Sequence, residues 1–282
     1  HHDFPDPFVL RVGDTYYAYG TNGAGKQVQT LTSKDLVHWT PGPDALPKVG
    51  AWGFNGETWA PEVLARGDGS YVLYYTANKC IGRAVAQKPL GPFVDDSKQP
   101  LVCQPKQGGS IDPSPFRDFR GNLSLVWKND GNAIGAPTYI WAQLLTRDGL
   151  RLVGRRRAIE KNDADWEGSV VEGPMLWKHD DFYYLFYSGN VYSGAGYAVG
   201  YARCATPVGP CKDAPENPIL KTACRAHGPG HNALVDVGGQ TWIVYHAWNA
   251  IYSKRQLWID RLDWKDDKPV VDGPTCGKQR AP

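Results

Sequence analysis

No stretch of this chain is apolar for long enough to cross a bilayer as a helix. The 3.6-residue apolar period of an amphipathic helix is missing too. Gly and Pro, 32 and 22 of the 282 residues, recur every few positions and interrupt any such run. Charge of one sign is also scarce: 31 Lys and Arg against 29 Asp and Glu leave +2, with no basic stripe, so nucleic acid and anionic membranes are poor partners. The one like-charged run, Arg155-Arg156-Arg157, suits a solvated strand edge that discourages sheet-to-sheet association. Paired metal-ligand spacing is absent from the six cysteines (80, 103, 204, 211, 224 and 276), which argues against zinc and for disulfides in an oxidising compartment. Fifteen pairings are open. Cys204 and Cys211 enclose one tight loop, and Cys276 is placed to tie down the last segment. There is no linker or low-complexity tract, so residues 1–282 are expected to form a single domain. The chain opens at His1-His2-Asp3 without a signal-peptide pattern, and a mature or trimmed secreted product is expected.

What the sequence does hold is a repeat. Glu172-Gly173-Pro174-Met175-Leu176 leads directly into the aromatic strand-like run Phe182-Tyr183-Tyr184-Leu185-Phe186-Tyr187. The same sentence is spoken by Asp6-Pro7-Phe8-Val9-Leu10 before Thr15-Tyr16-Tyr17-Ala18-Tyr19, and by Ala60-Pro61-Glu62-Val63-Leu64 before Tyr71-Val72-Leu73-Tyr74-Tyr75. Asp112-Pro113-Ser114-Pro115-Phe116 before Leu123-Ser124-Leu125-Val126-Trp127 is a further copy, and His231-Asn232-Ala233-Leu234-Val235 before Thr241-Trp242-Ile243-Val244-Tyr245 is the fifth. The heads at 6, 60, 112, 172 and 231 are separated by 54, 52, 60 and 59 residues by subtraction, just above the range of propeller blades.

Each copy reads as an antiparallel hairpin turning at Gly or Asp. A third strand follows at Gln27–Leu31, Gly82–Ala86, Tyr139–Gln143, Ala198–Ala202 and Gln256–Asp260. A small sheet repeated five times predicts an all-β, five-bladed β-propeller, because one blade exposes an apolar face that only its neighbours cover. Aromatics make up 12% of the chain, with 11 Trp and 15 Tyr. Most serve packing between blades, and a few are expected to line a flat ligand such as a sugar.

In a propeller the innermost strands surround a central channel, so Asp6, Ala60, Asp112, Glu172 and His231 should converge. Singly, an Asp-Pro merely initiates a turn. Three carboxylates gathered together oppose one another's ionisation, which packing has no use for and acid–base catalysis does. Two carboxylates flanking a bond, with a third group tuning them, is the arrangement for glycoside hydrolysis.

At these motifs, Pro5-Asp6-Pro7, Trp59-Ala60-Pro61-Glu62, Ile111-Asp112-Pro113-Ser114, Val171-Glu172-Gly173-Pro174 and Gly230-His231-Asn232, the whole chain resembles glycoside hydrolase family 43. The resemblance implies Asp6 as general base, Glu172 as general acid and Asp112 as the third acid that keeps the acid's proton and positions the sugar. It implies inversion, with the two working carboxyls roughly 6.5–9.5 Å apart to admit a water. Arg255 matches the arginine that reaches the bound sugar, and Trp59 an aromatic at the rim. His231 matches an axial histidine that in some relatives holds a hydrated cation, calcium or sodium, in the channel; no cofactor is required for the chemistry. The implied partner is plant polysaccharide, with exo-acting α-L-arabinofuranosidase the first expectation and β-xylosidase, endo-arabinanase or galactan-active hydrolase the alternatives. A non-catalytic sugar-binding propeller and a retaining fructan-active hydrolase stay open as competing classes. Glu57 and Glu167 lie near the motifs but head no repeat. The loops Gly50–Trp59 and Ser188–Gly196 are expected to shape the site.

Overall fold

The computed structural model describes residues 3–282, so the opening His1-His2 lies outside the described residues. Five small antiparallel sheets stand in a ring. Blade 1 is β1 (Phe8–Val12), β2 (Thr15–Gly20), β3 (Gln29–Ser33) and β4 (Thr40–Pro41). Blade 2 has β5 (Thr58–Ala65), β6 (Tyr71–Ala77) and β7 (Cys80–Ala86). Blade 3 runs β8 (Ser110–Arg117), β9 (Leu123–Asn129), β10 (Tyr139–Leu145) and β11 (Leu152–Lys161). Blade 4 is β12 (Val171–His179), β13 (Phe182–Gly189), β14 (Ala198–Cys204) and β15 (Cys211–Asp213). Blade 5 holds β16 (His227–Val237), β17 (Gln240–Trp248), β18 (Arg255–Lys265) and β19 (Lys268–Asp272).

Within a blade the strands follow chain order from inner to outer. The expected third strands are all present; four are extended by a few residues, and that of blade 1 is shifted two residues along the chain, from the expected Gln27–Leu31 to Gln29–Ser33. The outer strands β4, β11, β15 and β19 had no sequence signal: they are mostly exposed and so carry no apolar pattern. Arg155, Arg156 and Arg157 lie exposed on β11, the edge strand of blade 3.

The second strands are buried on both faces rather than on one; every residue of β9 is buried. Neighbouring blades cover the two faces, so aromatic residues fill the gaps and their hydroxyls must find partners. Tyr19 donates to Pro89 O at 2.6 Å and Tyr74 to Gly149 O at 2.5 Å. Tyr184 donates to Asp267 O at 2.6 Å and Tyr245 to Asp260 Oδ2 at 2.6 Å. Burial of each such ring stabilises the fold by roughly 1.5–3 kcal/mol once its polar tip is satisfied.

Among the described residues no strand is exchanged between the first and last blades. Instead the N-terminal segment seals the seam: Phe4 N donates to Arg255 O at 2.8 Å, and Arg255 N to Asp3 Oδ1 at 2.7 Å. Disulfides join Cys80–Cys103, Cys204–Cys211 and Cys224–Cys276, so the tight loop and the tethered tail are both observed.

Candidate active site

Every inner strand opens on the same backbone device. Asp6, Ala60, Asp112, Gly173 and His231 all have positive φ, at 55°, 44°, 56°, 55° and 51°. In four of the blades a register shift follows within the strand. Asp and His tolerate this left-handed conformation better than most residues, and the bend turns the head of the strand toward the axis. The fourth head is therefore Gly173 and not Glu172, a correction to the repeat alignment: Gly173-Pro174 matches Asp6-Pro7. Glu172 stands one position earlier, at the register place that Trp59 holds in blade 2 and Ile111 in blade 3. Two glycines are needed here for space. A Cβ on Gly173 would lie 3.1 Å from the His231 ring, and one on Gly230 would overlap the Tyr197 ring.

Asp6 is held mainly from blade 5, with one further donor from its own blade. Arg255 Nη1 donates to Oδ1 at 3.1 Å, His231 Nδ1 lies 3.4 Å from the same oxygen, and the Thr21 hydroxyl donates to Oδ2. Burial alone would raise its proton affinity, but Arg255 and His231 hold the carboxyl well below the usual range, so Asp6 is an ionised carboxylate. His246 Nδ1 accepts the Asp6 backbone N–H at 3.1 Å. Burial lowers the His246 pKa to about 4, so its contact with Asp6 Oδ1 at 3.3 Å is made by a neutral ring and is not an ion pair.

Asp112 meets the opposite fate. Burial first, then the charges of Glu172 and Asp6, push it up to about 6 against the pull of His231 and Lys128. Its Oδ2 accepts the Gly173 N–H at 3.0 Å, which ties blade 3 to blade 4. Glu172 Oε2 accepts from Lys128 Nζ at 3.0 Å. Tyr197, fully buried, feels the charges of Glu172, Asp6 and Asp112 together and is raised well above a normal phenol, burial being the largest cause. Unlike the packing tyrosines, its hydroxyl has no partner among the described residues.

The predicted residues thus gather at one place: Asp6, Asp112, Glu172, His231 and Arg255 share contacts or fields. Trp59, half-buried, sits beside the Ala60 head. Glu167 belongs elsewhere; its carboxylate accepts the Asp163 and Ala164 N–H groups at 2.9 Å and the Tyr187 hydroxyl at 2.7 Å, a structural cap. Lys128, Tyr197 and His246 were missed. Aligning the second strands as well as the heads would have exposed Lys128 and His246, since their counterparts are Thr76 and Ser188. Trp248 and Tyr192 were missed as well. The Arg255 guanidinium lies 4.9 Å from the Tyr192 ring and 5.7 Å from the Trp248 ring, so loop 188–196 does reach the site. A groove of about 860 Å³, lined by Trp39, Trp258 and the chain end, touches none of these acids.

An ionised carboxylate and one of raised proton affinity, from different blades and beside a clamped third, form an acid–base constellation. Glycosyl hydrolases family 43 matches residues 1–269. The chain belongs to that family. Among family 43 relatives, an extracellular endo-α-(1→5)-L-arabinanase of Thermotoga petrophila is 31% identical over 250 residues, 74% of this chain and 50% of that protein. A β-D-galactofuranosidase of Aspergillus niger is 29% identical over 262 residues, 86% of this chain and 73% of that protein. A crystal structure of a thermostable family-43 glycoside hydrolase superposes with a TM-score of 0.89 at 31% identity, covering 99% of this chain and 96% of that one. The chain spans about half the length of the arabinanase.

Proposed function

We propose that this family 43 chain is a secreted, inverting hydrolase that removes α-L-arabinofuranosyl groups from plant polysaccharide. Asp6 takes a proton from the attacking water, Glu172 gives one to the leaving oxygen, and Asp112 modulates the acid's hold on its proton and helps position the sugar. The observation that carries this reading is the gathering of three carboxyls at the axis: Asp6 is held ionised by Arg255 and His231, Glu172 is gripped by Lys128 at 3.0 Å, and Asp112 beside them is pushed up to about 6. A base must be ionised, as Asp6 is, and the acid must be a separate carboxyl on another blade, the place of Glu172. A lectin has no use for such a pair. Arg255 faces the site with a fixed fork of donors suited to paired hydroxyls, flanked by Tyr192 and Trp248. The choice of sugar leans on relatives, among them an extracellular exo-α-(1→5)-L-arabinofuranosidase of Cellvibrio japonicus. A β-xylosidase is the second reading, since a Bacillus subtilis relative carries that name.

His231 suits a hydrated cation in the channel. Only as a neutral ring, with Nδ1 turned to Asp6, would Nε2 be an acceptor able to hold a metal or its water. Such an ion would fix the ring and lower the charge of the acids.

A panel of aryl glycosides and linear, decorated and debranched polysaccharides tests the sugar and the mode together, and NMR of the first-released anomer tests inversion. Asp6→Asn is expected to lose about 10³-fold or more on every substrate, and Glu172→Gln only on substrates with poor leaving groups. Retention of configuration, or full activity in Asp6→Asn, overturns the assignment.

A further inference from the structure

One hydrogen bond recurs around the ring, and one blade breaks it. The N–H of the strand head reaches a side chain on the preceding blade: Ala60 N to Thr21 Oγ1 at 2.9 Å, Asp112 N to Thr76 Oγ1 at 3.1 Å, His231 N to Ser188 Oγ at 2.8 Å and Asp6 N to His246 Nδ1 at 3.1 Å. Strand register places Lys128 opposite Ile111 just as Thr76 stands opposite Trp59, Ser188 opposite Glu172 and His246 opposite Gly230. An ammonium cannot accept a hydrogen bond. The N–H it leaves unserved, that of Gly173, turns to Asp112 Oδ2 at 3.0 Å.

The Lys128 side chain is 1% exposed. Its Nζ lies 2.8 Å from Asn132 Oδ1, 3.0 Å from Glu172 Oε2 and 3.7 Å from Asp130 Oδ1. A buried ammonium is costly to desolvate, and a hydroxyl would serve the backbone better, as it does in three other blades. The cation therefore has a task that a hydroxyl cannot do. It meets the one carboxyl whose orientation decides where a proton is delivered.

We propose that Lys128 is a positioning residue for the hydrolytic reaction: it clamps one oxygen of Glu172, leaving the other to carry the proton, and its charge offsets the carboxylates it faces. This rests on Glu172 being the acid. Glu172 is faced by Lys128 from β9, by Asp112 from β8 and by Tyr197 ahead of β14, while His231 from β16 and Asp6 from blade 1 act on Asp112. Asp130, paired also with Lys79 at 3.0 Å, closes the far side of Lys128. Loss of the cation leaves Glu172 and Asp112 facing each other uncompensated, and both then favour the protonated form.

The test compares Lys128→Ser, which installs the hydroxyl of blade 4, with Lys128→Arg and Glu172→Gln on aryl glycosides of graded leaving-group acidity. For Lys128→Ser, kcat/KM is expected to fall about 100-fold or more on the poorest leaving group and less than about tenfold on the best, as general acid catalysis requires. The alkaline limb of its pH profile moves up by about one unit, and Lys128→Arg recovers most of both. Equal loss along the whole series with an unmoved limb overturns the proposal and makes Lys128 a packing residue. If Glu172→Gln is itself insensitive to the leaving group, the acid assignment falls and takes the proposal with it. A steep Glu172→Gln series beside a flat Lys128→Ser series sinks the proposal alone. Should the serine variant not fold, Lys128→Gln, uncharged and of similar reach, carries the same comparison.

Discussion

Asp6 and Asp112 share a local sequence, Asp-Pro, and a left-handed backbone, yet their proton affinities move in opposite directions. What differs is the charge brought by other blades: Arg255 and His231 for Asp6, Glu172 and Asp6 itself for Asp112. Neither fate can be read from the dipeptide. The difference has a measurable consequence. Asp112 is raised from an ordinary 3.8 to about 6 in the fold, so below pH 4 the carboxyl is protonated in both states and its contribution is complete. As pH rises from 4 through 6 the unfolded chain ionises first, and this contribution is lost. The loss is at most about 3 kcal/mol. Urea unfolding at pH 4 and pH 7 should show a smaller drop in stability for Asp112→Asn than for the parent chain.

Elements act through the bend at the head of each inner strand. Glycine at position 173 is needed for its backbone angle and for the room it leaves His231. Gly173→Ala is expected to lose about 1–2 kcal/mol of stability from the left-handed backbone, and to lower kcat/KM by displacing the ring 3.1 Å away. Thermal melts and kinetics on one preparation check both. At the rim, β11 and β15 bring Glu160 and Asp213 together. Burial first, and then Asp213, push Glu160 up to about 9. Because this proton affinity is raised, stability drains away as pH rises through the window from 4.5 to 9. Asp213→Asn removes the repulsion and keeps an oxygen beside the Tyr187 hydroxyl, whose one proton lies between Asp213 Oδ1 and Glu167 Oε1, each 2.7 Å away. A gain of about 1 kcal/mol at pH 8, absent at pH 4, is the expected result. These outer strands were invisible in the sequence because solvent imposes no pattern on exposed residues; the inner hairpins were legible because burial does.

Among the described residues the ring closes without strand exchange, and the proposed base stands on the seam. Asp6 comes from the first blade and its partners Arg255, His231 and His246 from the last, so closure and charge placement are one event. The tail is secured separately by Cys224–Cys276, which spans 52 residues. Replacing both cysteines by serine is expected to cost up to about 4 kcal/mol through the freed unfolded chain, measured by guanidinium unfolding, with the carboxylate cluster left intact.

The amino-acid order alone determined the repeat, its number of copies, the propeller and the identity of Asp6, Asp112, Glu172, His231 and Arg255. All but Arg255 follow from periodicity and residue type, which are properties of a one-dimensional string; Arg255 was implied by the resemblance to family 43. Tertiary structure decided that Gly173 heads the fourth strand, that Lys128 grips Glu172, that His246 is neutral and that Tyr197 lies among three acids. Burial and charge at the axis are sums over side chains from different blades, and such sums exist only once the ring has closed.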